Sequence, residues 1–252
     1  MPENRTWVLL RGLVREQRHW EDFPDKLRLY FPGDDIILYD FPGNGRRYKE
    51  KSATTITAML NDLRSFVREQ SVTKPVHIIA LSLGAMIAVE WMNRYAEECA
   101  ASVLISTSLR GLNPFYQRLL PATYPAIFRL LLLPVSNRQK ESTSLKLVSN
   151  IVANDATKSK IIINHWLAYA EQCPVSGING LRQLLAAIRF CVPKTRPDVP
   201  MLVLNSLADR LVSPQCSEKL ADYWHLAIET HAAAGHDIPL DDAEWVLSLI
   251  HI

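Results

Sequence analysis

Apolar and polar positions follow two regimes along the 252-residue chain. Short, almost unbroken apolar runs recur at 6–10 (TWVLL), 35–39 (DIILY), 76–81 (VHIIAL), 102–106 (SVLIS) and 201–205 (MLVLN), with LAIETH at 226–231 as a weaker sixth. Runs of that length and polarity suit strands buried on both faces of a sheet. Between them the spacing changes to the helical period. Ile56, Leu60, Leu63 and Val67 fall on one stripe of 54–70, and Ala85, Ala88 and Val89 give 83–96 a close-packing face. Ser213-Pro214 predicts a capped helix start over 214–224, and a last helix is expected over about 241–250. Strands alternating with helices predict the α/β class, with a mostly parallel central sheet flanked by helices and joined by right-handed crossovers.

The alternation stops between Leu109 and Pro197, where helical patterns (SLKLVSNIVAND, KIIINHWLAYAEQ, GLRQLLAAIRF) are separated by turns bearing Pro, Gly and Asn. The expected organisation is an α/β core made of 1–108 and 198–252, with a helical cap or lid at 109–197 inserted after the strand near 102–106. Aromatic residues in that insertion (Phe115, Tyr116, Tyr124, Phe128, Trp166, Tyr169) predict an apolar pocket beneath it.

Ligands of open parallel sheets bind beyond the carboxyl ends of the strands, so the residues following each strand carry the chemistry. The first strand is followed by RGLVREQRHW, the second by DFPGNGRR, the third by Ser82, the fifth by SLADRLVSP with Asp209, and the sixth by AAAGHD with His236. Ser82 admits two readings. It is either a turn residue, or a nucleophile raised on a sharp strand-to-helix turn, with Ala80 and Gly84 as the small residues on either side. A hydroxyl, a carboxylate and an imidazole on one edge, in the order Ser…Asp…His, favour the second. His236 alone among the histidines follows a strand after glycine. His77 and His231 sit within strands, His251 lies in the tail, and His19, His165 and His225 are further rivals. Asp237, Asp241 and Asp242 read as a solvated turn and the acidic start of the last helix.

On these residues the chain resembles the α/β-hydrolases over nearly its whole length. ALSLGA is similar to the family's nucleophile elbow, with Ala80 in place of the first glycine. DRLVSP is similar to its acid turn and AGHDIPLDD to its terminal Gly-His. LLRGLVREQRHW is similar to its oxyanion turn, with Arg11 where histidine is usual. The resemblance implies a serine hydrolase acting on a carboxylic ester or thioester through an acyl-enzyme. Ser82 would be nucleophile, His236 the general base and then acid, and Asp209 the residue that orients the imidazole. The backbone N–H groups of Leu83 and Leu13 would form the oxyanion hole. An acyltransferase or C–C hydrolase would use the same triad, and a binding or signalling protein on the same fold would carry it idle.

Composition removes other classes. The net charge of +2 and the lack of a basic cluster interleaved with aromatics argue against nucleic acid. IFRLLLLPV is too short and broken to span a bilayer, so no stable membrane insertion is expected. MPENRTWVLL runs straight into a strand without a signal-peptide pattern. Cys99, Cys173, Cys191 and Cys216 lack CxxC spacing and neighbouring histidine pairs, so no metal is expected and a reducing, cytoplasmic setting is. The Gly43-x-Gly45 turn is not followed by a Gly-Lys-Ser/Thr helix, which discards nucleotide binding. No cofactor is expected. The partner is a small apolar ester or acyl substrate, and the oligomeric state stays open.

Overall fold

The computed structural model describes residues 4–250, so His251 lies outside the described residues. Six strands form one sheet in the order β2-β1-β3-β4-β5-β6, and every pairing is parallel. They are β1 (Thr6–Leu10), β2 (Asp35–Leu38), β3 (Val76–Leu81), β4 (Cys99–Ile105), β5 (Met201–Ser206) and β6 (Ala227–His231). The apolar runs are continuous because both faces are covered. In β1, Trp7 and Leu9 pack on one side, while Val8 and Leu10 pack on the other. The first side is closed by α1 (Phe23–Tyr30) and, near the chain's end, by α11 (Ile238–Asp241) and α12 (Ala243–Ser248). The second is closed by α2 (Ile56–Glu69), α3 (Leu83–Arg94) and α10 (Gln215–Trp224).

Between the paired strands β4 and β5 the chain passes through α4 (Phe115–Arg118), α5 (Tyr124–Leu132), α6 (Asn137–Val148), α7 (Ile151–Asn154), α8 (Ala156–Gln172) and α9 (Gly177–Arg189). Among the described residues this stretch adds only isolated bridges from Arg110 to Asn113 and Cys191. It holds a small core of its own around Leu145, Val152 and Trp166. No helix of the described residues is long and apolar enough to cross a membrane.

Some boundaries differ from the sequence expectations for local reasons. The helix expected over 241–250 begins only at Ala243, because Asp242 leaves the helical region (φ −151°, ψ 79°) and caps α12 by accepting a hydrogen bond from the Trp245 N–H. The helix α10 begins at Gln215, one residue later than expected, with Pro214 just before it. The strand β4 starts at Cys99, three residues early, since the small apolar Cys99, Ala100 and Ala101 follow two glutamates without a clear period. Helix α1 has no counterpart among the sequence expectations. Its apolar positions are diluted by Pro24, Asp25, Lys26 and Arg28.

Candidate active site

Ser82 links β3 to α3 with φ 57° and ψ −110°, a conformation that L-residues rarely hold. Such strain costs about 1–3 kcal/mol and persists only where the surroundings fix it. Here the Ser82 N–H donates to the Ile105 carbonyl at 2.9 Å, and its carbonyl accepts from Thr107 Oγ1 at 3.2 Å. The glycine two positions on is required by packing. A Cβ on Gly84 would lie 2.4 Å from the Leu10 carbonyl oxygen, so α3 can sit this close to β1 only without one. Ala80 is fully buried in the strand core, where a methyl group is accommodated. The loop after β1 reaches Ser82 directly, since a Cβ built on Gly12 would stand 3.4 Å from Ser82 Cβ.

Asp209 follows β5 and is buried. Its Oδ1 accepts from the backbone N–H groups of Leu211 (2.8 Å) and Val212 (3.0 Å), which aim Oδ2 at His236 Nδ1, 2.7 Å away. A carboxylate can only accept there, so the proton of a neutral His236 resides on Nδ1 and Nε2 is the basic nitrogen. Nε2 has no hydrogen-bond partner among the described residues, and His236 shares a cavity wall with Ser82. The structure thus brings Asp209 and His236 into contact and places Ser82 in the same cavity. No hydrogen bond joins Ser82 to His236 among the described residues.

Leu13 and Leu83 line that cavity as well, and neither backbone N–H has a protein acceptor among the described residues. The next N–H along, that of Val14, is committed: it donates to Gln183 Oε1 at 2.8 Å. Gln183 is completely buried on α9, and its Nε2 donates to Asn44 Oδ1 (2.7 Å) and Ser52 Oγ (3.0 Å). Val14 itself has φ 53°. The turn after β1 is therefore clamped from the inserted helices, with Leu13 left free.

The Arg11 guanidinium is engaged by the residue that follows His236. It is buried, pairs with the Asp237 carboxylate through both Nη groups, and lies over the Trp20 ring at 4.7 Å. Asp237 is thus not part of a solvated turn, and Asp241 is not simply a helix-start acid. Asp241 accepts from the backbone N–H groups of Gly235, Asn150, Ile151 and Val152 and from the Ser149 hydroxyl. Asn150 Nδ2 in turn donates to the carbonyls of Ala208, Ala233 and Ala234. These contacts tie the loops bearing Asp209 and His236 to the start of α7. Gly235 fits that junction because a Cβ there would come within 2.5 Å of the Val148 carbonyl oxygen. Arg11, Asp237, Asp241, Asn150 and Gln183 are the residues that sequence reasoning missed or misplaced. For Arg11 and Asp237 the available signal was polarity beside glycine at a strand end; Asn150 and Gln183, within the inserted helical stretch, offered none.

The cavity holds about 780 Å³ and is walled mostly by apolar side chains of α4, α5, α6, α8 and α9. His19 forms part of the wall. Burial, reinforced by the Arg15 and Arg11 guanidiniums, pushes its imidazole well below the usual histidine range, so it is neutral. The rival histidines have structural positions. His231 Nδ1 accepts from the N–H groups of Ala233 and Ala234, His165 pairs with Glu21, His225 ends α10 in a left-handed conformation, and His77 lies against Trp7. No group of three His, Cys, Asp or Glu among the described residues could hold a metal ion.

Comparison with known proteins agrees with this fold. BpoC of Mycobacterium tuberculosis, which carries the name of a non-heme bromoperoxidase, is 26% identical over 209 residues, 75% of this chain and 71% of BpoC. Its crystal structure superposes with a TM-score of 0.74 at 20% identity, over 98% of this chain and 90% of that one. A hydrolase from Pseudomonas aeruginosa PA01 gives a TM-score of 0.78 at 16% identity, covering 98% and 89%. A thermophilic esterase from Thermogutta terrifontis gives 0.73 at 18% identity, covering 97% and 87%. The family model Hydrolase_4, described as serine aminopeptidase, S33, matches residues 6–242. That span runs from the first strand to the turn beyond His236, and the chain belongs to this family of α/β hydrolases.

Proposed function

We propose that the protein is a serine hydrolase that cleaves a carboxylic ester or thioester through an acyl-enzyme. The observation that carries this reading is the aligned Asp209–His236 pair opening on the same cavity as Ser82, which is held in a strained turn. His236 Nε2 removes the Ser82 proton as the hydroxyl attacks the carbonyl carbon, and the imidazolium that forms is stabilised by Asp209. The developing oxyanion is met by the Leu13 and Leu83 N–H groups, whose loss one at a time typically costs about 10²–10³ in rate. His236 then returns the proton to the leaving alcohol or thiol, and water repeats the sequence to release the acid. The inserted helices act as a lid that supplies the apolar wall for the acyl or alcohol chain. The four free cysteines accord with a reducing, cytoplasmic place of action.

The test is covalent. A fluorophosphonate probe should label Ser82, and p-nitrophenyl esters of increasing chain length should be turned over. Ser82→Ala should lose both while keeping the fold by circular dichroism. Turnover within tenfold of the parent in that variant would remove the acyl-enzyme, and an unlabelled, inactive parent would mark a binding protein on this fold.

A further inference from the structure

Charge in the cavity wall is balanced except at two cations, Lys140 and Arg118, and of these Arg118 is the one held by backbone carbonyls with a buried, unpartnered N–H. Its three carboxylates are each matched to an arginine: Asp237 to Arg11, Glu141 to Arg15, and Glu16 to Arg18. Arg118, the last residue of α4, lines the same cavity and has no carboxylate among the described residues. Its Nη2 and Nη1 donate to the carbonyls of Ala187 (2.7 Å) and Ile188 (3.3 Å) in the last turn of α9, and its Nε is buried without a partner. The carbonyls of a helix end offset part of a cation's charge, but as dipoles rather than as a counter-ion. The buried Cys216 nearby supplies none either, because burial pushes its thiol up to about 12 and keeps it neutral. Arg110 adds a second cation close by, and burial lowers the Arg118 guanidinium from its ordinary value. The whole stretch 99–140 holds Arg110, Arg118, Arg129, Arg138 and Lys140 without a single Asp or Glu. A partly desolvated charge without a counter-ion is costly to keep and is a recurrent mark of a ligand site.

We infer that Arg118 receives a carboxylate on the substrate, so that the preferred ester has an apolar chain ending in an anionic group away from the scissile bond. This rests on the ester hydrolase reading given above. The apolar wall takes the chain, the oxyanion N–H groups fix the reacting carbonyl, and the guanidinium fixes the far end. A neutral ester of the same length leaves Arg118 unpaired and binds more weakly.

The experiment compares p-nitrophenyl half-esters of succinic to suberic acid with neutral p-nitrophenyl esters of matching length. The best half-ester should exceed its neutral counterpart at least tenfold in kcat/KM, chiefly through KM. Arg118→Gln should bring the two within twofold of each other, and Arg118→Lys should restore part of the preference. A loss shared equally by both substrates in Arg118→Gln, leaving their ratio intact, would reduce Arg118 to a cap on α9 and overturn the proposal. Calorimetric titration with adipate and suberate decides the matter even where no ester is cleaved. Binding that weakens at least tenfold in Arg118→Gln supports the site, whereas no binding, or equal binding by both proteins, rejects it. Failure of Ser82 labelling with this titration intact would reject the hydrolase and keep the carboxylate site.

Discussion

Arg11 and Asp237, 226 positions apart in the chain, form an ion pair in which both side chains are 2% exposed. One follows β1 and carries the turn that presents Leu13. The other directly follows His236. The pair therefore holds the two halves of the candidate site at a fixed separation, and it also gives a reason for arginine at a position where related turns place histidine.

Removing one partner leaves the other charge buried and uncompensated. Arg11→Met is expected to destabilise the protein by about 3–5 kcal/mol, as is typical of broken buried pairs. The double variant Arg11→Met with Asp237→Leu should recover a large part of that loss, because no charge is then stranded. Urea denaturation of the three proteins measures both effects. A double variant no more stable than Arg11→Met would show that the pair's importance is not electrostatic.

Asp209→Asn isolates the orienting role of the carboxylate. Its remaining oxygen can still accept from the Leu211 and Val212 N–H groups, which turns the new amide NH₂ toward His236 Nδ1. The ring must then accept at Nδ1 and carry its proton on Nε2, the wrong tautomer for a base. We expect kcat to fall by about 10⁴, as for triads of this kind, with unchanged thermal unfolding within a few degrees. A fall of less than tenfold in kcat would separate Asp209 from the chemistry.

Gln183 should matter to catalysis although it touches no reacting atom. Gln183→Leu strands the Val14 N–H, and a buried unsatisfied donor costs about 1–3 kcal/mol. The strained turn at Val14 then loses its restraint, so the Leu13 N–H is no longer held in place. The expected signature is a drop in kcat of at least tenfold with KM changed less than threefold. Gln183→Glu, which retains an acceptor for Val14, should recover part of the rate. Equal losses in the two variants would assign the effect to the Asn44 and Ser52 contacts instead.

The sheet was legible because strands covered on both faces are written as runs of apolar residues, and all six runs became parallel strands in one sheet. The elbow was legible for a related reason: a helix packed so close to β1 that a Cβ on it would stand 2.4 Å from the Leu10 carbonyl oxygen demands glycine, and Gly84 marks it. The supports of the site were not legible. Asp237 and Asp241 sit among acidic residues that look solvated, and only the fold reveals that Arg11 meets one and four backbone N–H groups meet the other. Gln183 has the same character. A single polar residue on an amphipathic helix carries no local mark of its partners at Val14, Asn44 and Ser52, 131–169 positions away.

His19 gives the site a pH dependence of stability. It is 6% exposed, stands between Trp166 and Tyr169, and has Arg15 Nη1 2.9 Å from its Nε2. Burial first, and then the nearby guanidiniums, lower its affinity for a proton in the folded protein, while the unfolded chain keeps the ordinary value near 6.5. The folded state thus binds fewer protons than the unfolded state below that pH. Its contribution to stability is fully present above about pH 6.5 and is lost as the pH falls toward the depressed folded value. The slope is about 1.4 kcal/mol per pH unit for one such group. As the pH falls below about 6.5, above the range in which most carboxylates titrate, the protein should lose stability from this source. His19→Gln, which cannot gain the charge, should show a correspondingly flatter profile in urea unfolding at pH 7.5, 6.0 and 5.0. Parallel profiles for the two proteins would mean that His19 titrates normally in the folded state, and the neutral imidazole assigned to the cavity wall would have to be abandoned.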